Sequence, residues 1–223
     1  MDIKGAIFDM DGTLVDSLHF WRVFWSKMGE RYLSDPAFVP ALEDDKQART
    51  MLFSDVMTLL KEKYRMGDST EEVLAYGNAL LASFYENDVK LKVGARELLE
   101  LLKRKEIPMC VASATTPEKV EKALCLCGIR EYFSFVISCA QVGAGKEKPD
   151  VFAAALEKLG TPLENTFVFE DSWVALRSAQ KYGFQTVGVF DENNFFQDKI
   201  QENATVYLGK DKTFFHLIEE WDK

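Results

Sequence analysis

Histidine is nearly missing from this chain, with two in 223 residues. There are four cysteines. Cys125 and Cys127 form one Cys-x-Cys pair, and Cys110 and Cys139 stand apart, so the ligands of a tetrahedral zinc site are not assembled. Cys110 in "MCVAS", Cys127 in a helical pattern and Cys139 after "FVIS" read as core positions. The expectation is reduced thiols in a cytoplasmic protein. Positive charge is in deficit too: 27 Lys and Arg stand against 36 Asp and Glu, a formal net charge of −9. That balance gives no global attraction to nucleic acid or to an anionic membrane, although a local basic pocket stays open. No apolar stretch nears the roughly 20 residues that cross a bilayer. The opening "MDIKGAIFDMDG" has one lysine, a very short apolar run and then acids, unlike a secretory leader. The expected partner is a small molecule rather than nucleic acid or membrane, and the expected state is a monomer.

What the chain does have is the composition of an ordinary globular protein, 47% hydrophobic and 28% charged. Short runs rich in β-branched and aromatic residues predict buried strands at 4–10, 108–113, 133–138, 166–171 and 185–190, with a weaker one at 204–209. Helical patterns separate the later strands. "GARELLELLKRK" carries Leu98, Leu101 and Leu102 on one face. "TPEKVEKALCLCG" opens with Thr116 as N-cap and Pro117 at the first helical position and stops at Gly128, and two further helices stop at Gly160 and Gly183. Strand alternating with helix predicts a parallel sheet covered on both faces. From about Asp16 to Val93 the rhythm breaks. Three helical stretches, 18–33, 43–65 and 70–87, replace a connection that normally takes about 2–6 residues before its helix, so an inserted helical domain is expected.

Open parallel sheets bind ligands beyond the carboxyl ends of their strands. Past the first strand come Asp9, Asp11, Gly12 and Thr13; past the second, Ser113, Ala114 and Thr115; past the third, "GAGKEKPD" with Lys146 and Lys148; at the end of the fourth, Glu170 and Asp171. If the first strand stays extended, Asp9 and Asp11 point to one side. Carboxylates so close repel unless a cation intervenes or one holds a proton. A hard divalent cation, Mg²⁺ above all, suits oxygen ligands of this kind, and a lysine with a serine suits an anion such as phosphate. The combination points to phosphoryl transfer.

These segments resemble the four motifs of the haloacid dehalogenase-like hydrolase superfamily: "DMDGT", "ASATT", "GKEKPDVF" and "VFEDS", in the family's order and spacing. The branch resembled is that of phosphoglycolate phosphatase and β-phosphoglucomutase. The resemblance implies an α/β fold, a Rossmann-like parallel sheet core (1–15 and 94–223) flanked by helices, with an inserted α-helical cap domain (16–93). It implies that Asp9 is the nucleophile, that Asp11 is the general acid and then base, and that Ser113 and Lys146 complete the catalytic set. Mg²⁺ is implied on Asp9, the backbone carbonyl of Asp11 and Asp171, with Glu170 bound directly or through water. Phosphate contacts are implied for Asp11, Gly12, Ser113, the N–H of Ala114 and Lys146. In the third motif Glu147 stands where the family usually has proline, which leaves Lys148 as a competitor to Lys146. The function implied is a Mg²⁺-dependent phosphatase acting on a small phosphate monoester through an aspartyl-phosphate. The alternative is a β-phosphoglucomutase-like sugar phosphomutase. Against it, Thr116 and Pro117 follow "SAT" where the mutase has a basic residue, and "ALEDDKQART" lacks the mutase's glycine–arginine element. A receiver-type phospho-acceptor needs no second acid at Asp11, and a haloacid dehalogenase does not need Glu170 with Asp171.

Several residues have two readings. Asp16 and Ser17 are expected to cap the first inserted helix. His19 then lies on a helix surface or touches substrate. Trp173 lines a pocket rim or packs its helix, Trp21 and Trp25 are spaced for helix packing, and Ala175 replaces a glycine common in the fourth motif.

Overall fold

The computed structural model describes residues 2–49 and 51–222. They form two compact units, Met1–Leu18 with Val89–Lys223, and His19–Asp88. In chain order, β1 (Gly5–Phe8) precedes the four helices of the second unit: α1 (Phe20–Leu33), α2 (Leu42–Ala48), α3 (Phe53–Tyr64) and α4 (Thr70–Asn87). The first unit resumes with α5 (Ala95–Arg104), β2 (Met109–Ser113), α6 (Pro117–Leu126), β3 (Phe135–Ser138), α7 (Cys139–Val142) and α8 (Asp150–Leu159). It ends with β4 (Thr166–Glu170), α9 (Trp173–Tyr182), β5 (Gln185–Val189), α10 (Gln197–Glu202), β6 (Val206–Leu208) and α11 (Phe214–Trp221).

The six strands form one parallel sheet in the order β3-β2-β1-β4-β5-β6. Every residue of β1, β2 and β4 is buried, as expected of central parallel strands covered by helices on both faces. Leu98, Leu99, Leu101 and Leu102 make the buried stripe of α5. Phe8 stacks on Phe169 across the β1–β4 pair, with ring centroids 4.2 Å apart. Trp221 of α11 meets Phe167 and Phe169 edge-on, at 5.3 and 6.0 Å. Pro117 opens α6, and Gly160 and Gly183 end α8 and α9 with φ of 69° and 117°, where a side chain would be strained. The short helices α7, α10 and α11 were not expected. At four, six and eight residues they span too few turns to show a periodic pattern.

In the second unit the stretch 43–65 is two helices, not one. Asp44 of α2 is ion-paired with Lys63 at 2.7 Å and also bonds Tyr64. A continuous helix would hold those positions about 28 Å apart, at 1.5 Å per residue. Leu52, extended at φ −63° and ψ 141°, makes the break. Asp45 ties α2 to α1 by accepting from the buried Trp25 indole at 2.9 Å, and Trp21 lies 5.2 Å from Trp25. His19, not Asp16 or Ser17, stands at the start of α1, with no side-chain cap bond; its ring meets Phe84 edge-on at 5.1 Å.

The strand order reverses direction at β1. The chain winds outward through β2 and β3, then returns to place β4 on the other side of β1. The carboxyl ends of β1 and β4 therefore flank the topological switch point, where such sheets open a crevice.

Candidate active site

Backbone register brings the acids together. Phe8 pairs with Phe169, and the Asp9 N–H donates to the Phe169 carbonyl at 2.9 Å, so Asp9 emerges beside Glu170. Asp9, Glu170 and Asp171 are all buried and offer one carboxylate oxygen each within 4.8 Å of one another. Lys146, from the loop between α7 and α8, reaches into this group. Its ammonium donates to Glu170 Oε1 at 2.6 Å and to Asp9 Oδ1. Lys148 is solvent-exposed, in a turn closed by its own N–H donating to the Gly145 carbonyl at 3.1 Å. Glu147, in place of the usual proline, is exposed on the same turn.

The second Glu170 oxygen and both Asp171 oxygens are held from the protein side. Glu170 Oε2 accepts from the Ser172 N–H at 2.9 Å. Asp171 Oδ1 accepts from the buried Thr13 hydroxyl at 3.3 Å, and Asp171 Oδ2 from the Asn194 amide at 2.6 Å. Gly12 sits against the same carboxylate. Its φ is 81°, and a Cβ there would stand 2.6 Å from Asp171 Oδ2, so both its backbone angle and its missing side chain are used.

Burial works against ionisation here. It raises the Glu170 carboxyl to about 7, even against the pull of the Lys146 ammonium. It also raises Asp171 well above the ordinary carboxylate range, with the neighbouring Glu170 and Asp9 charges adding to the effect. For Lys146, burial pulls the other way, and the Asp9 and Glu170 carboxylates outweigh it and hold the ammonium charged. With all three carboxyls ionised, the one ammonium would leave two negative charges uncompensated, the charge that one divalent cation brings. Three hard oxygen donors suit such a cation.

Asp11 does not join the cluster through its side chain. β1 ends at Phe8, and the chain turns at once, with the Leu14 N–H bonded to the Met10 carbonyl at 2.9 Å. Same-side alternation of Asp9 and Asp11 along an extended strand is therefore not what happens. The Asp11 carboxylate instead accepts from Ser17 Oγ at 2.8 Å and Thr115 Oγ1 at 3.2 Å. Ser17 thus serves Asp11, not the helix. Ser113 is buried at the end of β2, and its hydroxyl accepts from the Thr115 N–H at 3.0 Å, with Ala114 exposed beside it. Trp173 packs against Phe196, Arg177 and Lys199 at 6.3, 4.6 and 4.5 Å, and Ala175 is fully buried.

Asn194 went unread in the sequence. It lies after β5 in the run "DENN", where nothing in the sequence pairs it with Asp171, and the register of β5 beside β4 is what brings it there. Thr115 stands at a strand end, but nothing in the sequence pairs it with Asp11.

Comparison with known proteins agrees with this geometry. The family described as haloacid dehalogenase-like hydrolase matches residues 3–183. The chain is 26% identical over 220 residues to a phosphorylated carbohydrates phosphatase of Thermotoga maritima, covering 98% of this chain and 99% of that one. It is 27% identical over 191 residues to hexitol phosphatase A of Escherichia coli, covering 85% and 84%. A crystal structure from Thermotoga maritima superposes with a TM-score of 0.81 at 23% identity, over 98% of this chain and 99% of that one. The fold, the acidic cluster at its switch point and the match over most of the chain place this protein in the haloacid dehalogenase-like hydrolase family, as a phosphatase of that family.

Proposed function

We propose that this chain is a Mg²⁺-dependent phosphatase of small sugar or polyol phosphates, working through an aspartyl-phosphate on Asp9. The observation that carries the reading is the buried Asp9–Glu170–Asp171 cluster, joined by Lys146, at the switch point of the sheet. The substrate class follows from the phosphorylated carbohydrates phosphatase and hexitol phosphatase that the chain resembles.

In this reading Asp9, Asp171, the Asp11 backbone carbonyl and Glu170, the last directly or through water, hold Mg²⁺. The cation supplies screening between the attacking carboxylate and the anionic phosphate. The Asp9 carboxylate attacks phosphorus, and the ester P–O bond breaks. Asp11 gives its proton to the departing alkoxide. Asp11, now a carboxylate, takes a proton from water, and the hydroxide attacks the phosphorus, releasing inorganic phosphate and restoring Asp9. The Ser17 and Thr115 hydroxyls can each donate or accept, so they hold Asp11 in place in either protonation state. Lys146, Ser113, Gly12 and the Ala114 N–H take the phosphoryl oxygens. The division of labour is a catalytic core at 1–15 and 94–223 and a helical cap at 16–93 that selects the substrate.

A panel of sugar, polyol and other phosphate monoesters, assayed for phosphate release with Mg²⁺ and with EDTA, tests this. Release confined to Mg²⁺ and strongest with sugar or polyol phosphates is expected. No release from any ester contradicts it.

A further inference from the structure

We propose that Asn194 is a positioning residue for the metal-binding carboxylate of Asp171, on a loop built to hold it there. This rests on the reading of Asp9, Glu170 and Asp171 as a divalent-cation site. The Asn194 side-chain amide donates twice to one residue, to the Asp171 carbonyl at 2.7 Å and to Asp171 Oδ2 at 2.6 Å. These two bonds fix the carboxylate relative to its own backbone, so the rotation that would swing it out of the cluster breaks one of them.

The loop is itself braced. Asp191, 2% exposed, accepts from Lys92 Nζ at 2.5 Å and from the Asn193 N–H at 2.8 Å. The Asn194 N–H donates to the Asp191 carbonyl at 3.0 Å. Gln197 Nε2 donates to the same carbonyl at 2.8 Å. A buried ion pair such as Lys92–Asp191 is weak support for stability in itself. Here it fixes the turn from which Asn194 projects. An amide is also the right group for the task. It donates to the carboxylate without adding charge, so it orients Asp171 and leaves its negative charge for a cation, where a lysine would cancel it. Groups that orient a metal ligand in this way typically change affinity about 10–100-fold when removed.

The test measures Mg²⁺ binding by calorimetry on substrate-free protein, with the magnesium dependence of kcat alongside. Asn194→Ala should weaken Mg²⁺ about tenfold or more, and kcat should largely recover when Mg²⁺ is raised to saturation. Asn193→Ala is the control. Its amide bonds the Asp191 side chain at 3.2 Å and so braces the loop, and its loss should leave Mg²⁺ affinity within about twofold of wild type even where it lowers the melting temperature. If Asn194→Ala does not fold, Asn194→Leu, closer in volume and without a donor, carries the same expectation. Unchanged Mg²⁺ affinity in the folded Asn194 variant, or equal weakening in both the Asn194 and Asn193 variants, overturns the inference. Absence of Mg²⁺ binding by the wild type overturns the metal-site reading itself, a separate result.

Discussion

The Lys146 ammonium is hydrogen-bonded to the Asp9 carboxylate, although 137 positions separate the two in sequence. The pair joins the loop after α7 to the end of β1, and Glu170 shares the same ammonium. One cation thus holds two buried acids that would otherwise repel.

Lys146→Met should therefore lower turnover by about 10²–10³-fold, since it removes a buried charge aimed at the phosphoryl oxygens. It should also destabilise the metal-free protein by a few kcal/mol, because Asp9 and Glu170 lose their buried partner. Lys148→Met should change neither by more than about twofold, as its side chain is in solvent. Steady-state kinetics and thermal melts in EDTA separate the two lysines. Loss of activity with Lys148→Met and not Lys146→Met would reverse the assignment.

Metal and pH should be linked. Burial raises Glu170 to about 7 in the folded protein, above its value of 4.5 when unfolded. The folded state therefore holds more protons than the unfolded one between those values, and this contribution to stability falls as pH rises through the interval. A bound cation favours the ionised carboxylates and opposes that loss. One fixed Mg²⁺ concentration, roughly 100 times the Kd at pH 8, should raise the melting temperature at that pH by about 5–10 °C. The increase should be larger at pH 8 than at pH 6, where protons compete for the same oxygens. Activity should vanish in EDTA and return with Mg²⁺ but poorly with Ca²⁺, whose larger shell misplaces the nucleophile. A Mg²⁺ effect on melting that is equal at both pH values would contradict the linkage.

Asp11→Asn should slow turnover by about 10²–10⁴-fold, the usual worth of a general acid–base group. The deficit should shrink in single-turnover formation of the phosphoenzyme from p-nitrophenyl phosphate, whose leaving group needs no proton. An equal deficit with alkyl and nitrophenyl esters in that step would remove Asp11 from the role of acid.

The six strands, the long insertion and the strand-end acids were legible because each is written in contiguous residues. Apolar runs of three to five residues fix the strands, and a missing strand over about 75 residues fixes the insertion. Other features were not legible because they depend on residues distant in sequence. The helix break before Phe53 is enforced by Asp44 meeting Lys63. The Asp11 carboxylate is held by Thr115 from past the end of β2, 104 positions away. Asn194 reaches Asp171 only because β5 lies beside β4. Lys146 and Lys148 are both open in the sequence, and the fold separates them by drawing Lys146 onto Asp9 and Glu170 and leaving Lys148 exposed.

Phosphatase and mutase share Asp9 and Asp11, so the difference lies in what meets the aspartyl-phosphate. "SATTP" carries no cation, and the two cations of "ALEDDKQART", Lys46 and Arg49, are ion-paired with Glu43 and Asp45 of α2, so neither stretch offers the further cation expected to hold a sugar bisphosphate in both orientations. Inorganic phosphate should be released from small monoesters, with no conversion of β-glucose 1-phosphate to glucose 6-phosphate even when the bisphosphate is added. A coupled assay for glucose 6-phosphate beside phosphate release decides this. Efficient interconversion with little free phosphate would favour the mutase.

The central claim is covalent chemistry at Asp9, and trapping the phosphoryl group tests it most directly. Wild-type protein mixed with labelled substrate and Mg²⁺, quenched in acid within milliseconds and digested, should carry label on the peptide containing Asp9. Asp9→Asn should show no label and no turnover with its fold and melting behaviour retained, because an amide oxygen cannot displace the ester. Label on another residue, or turnover by Asp9→Asn at the wild-type rate, would contradict the account.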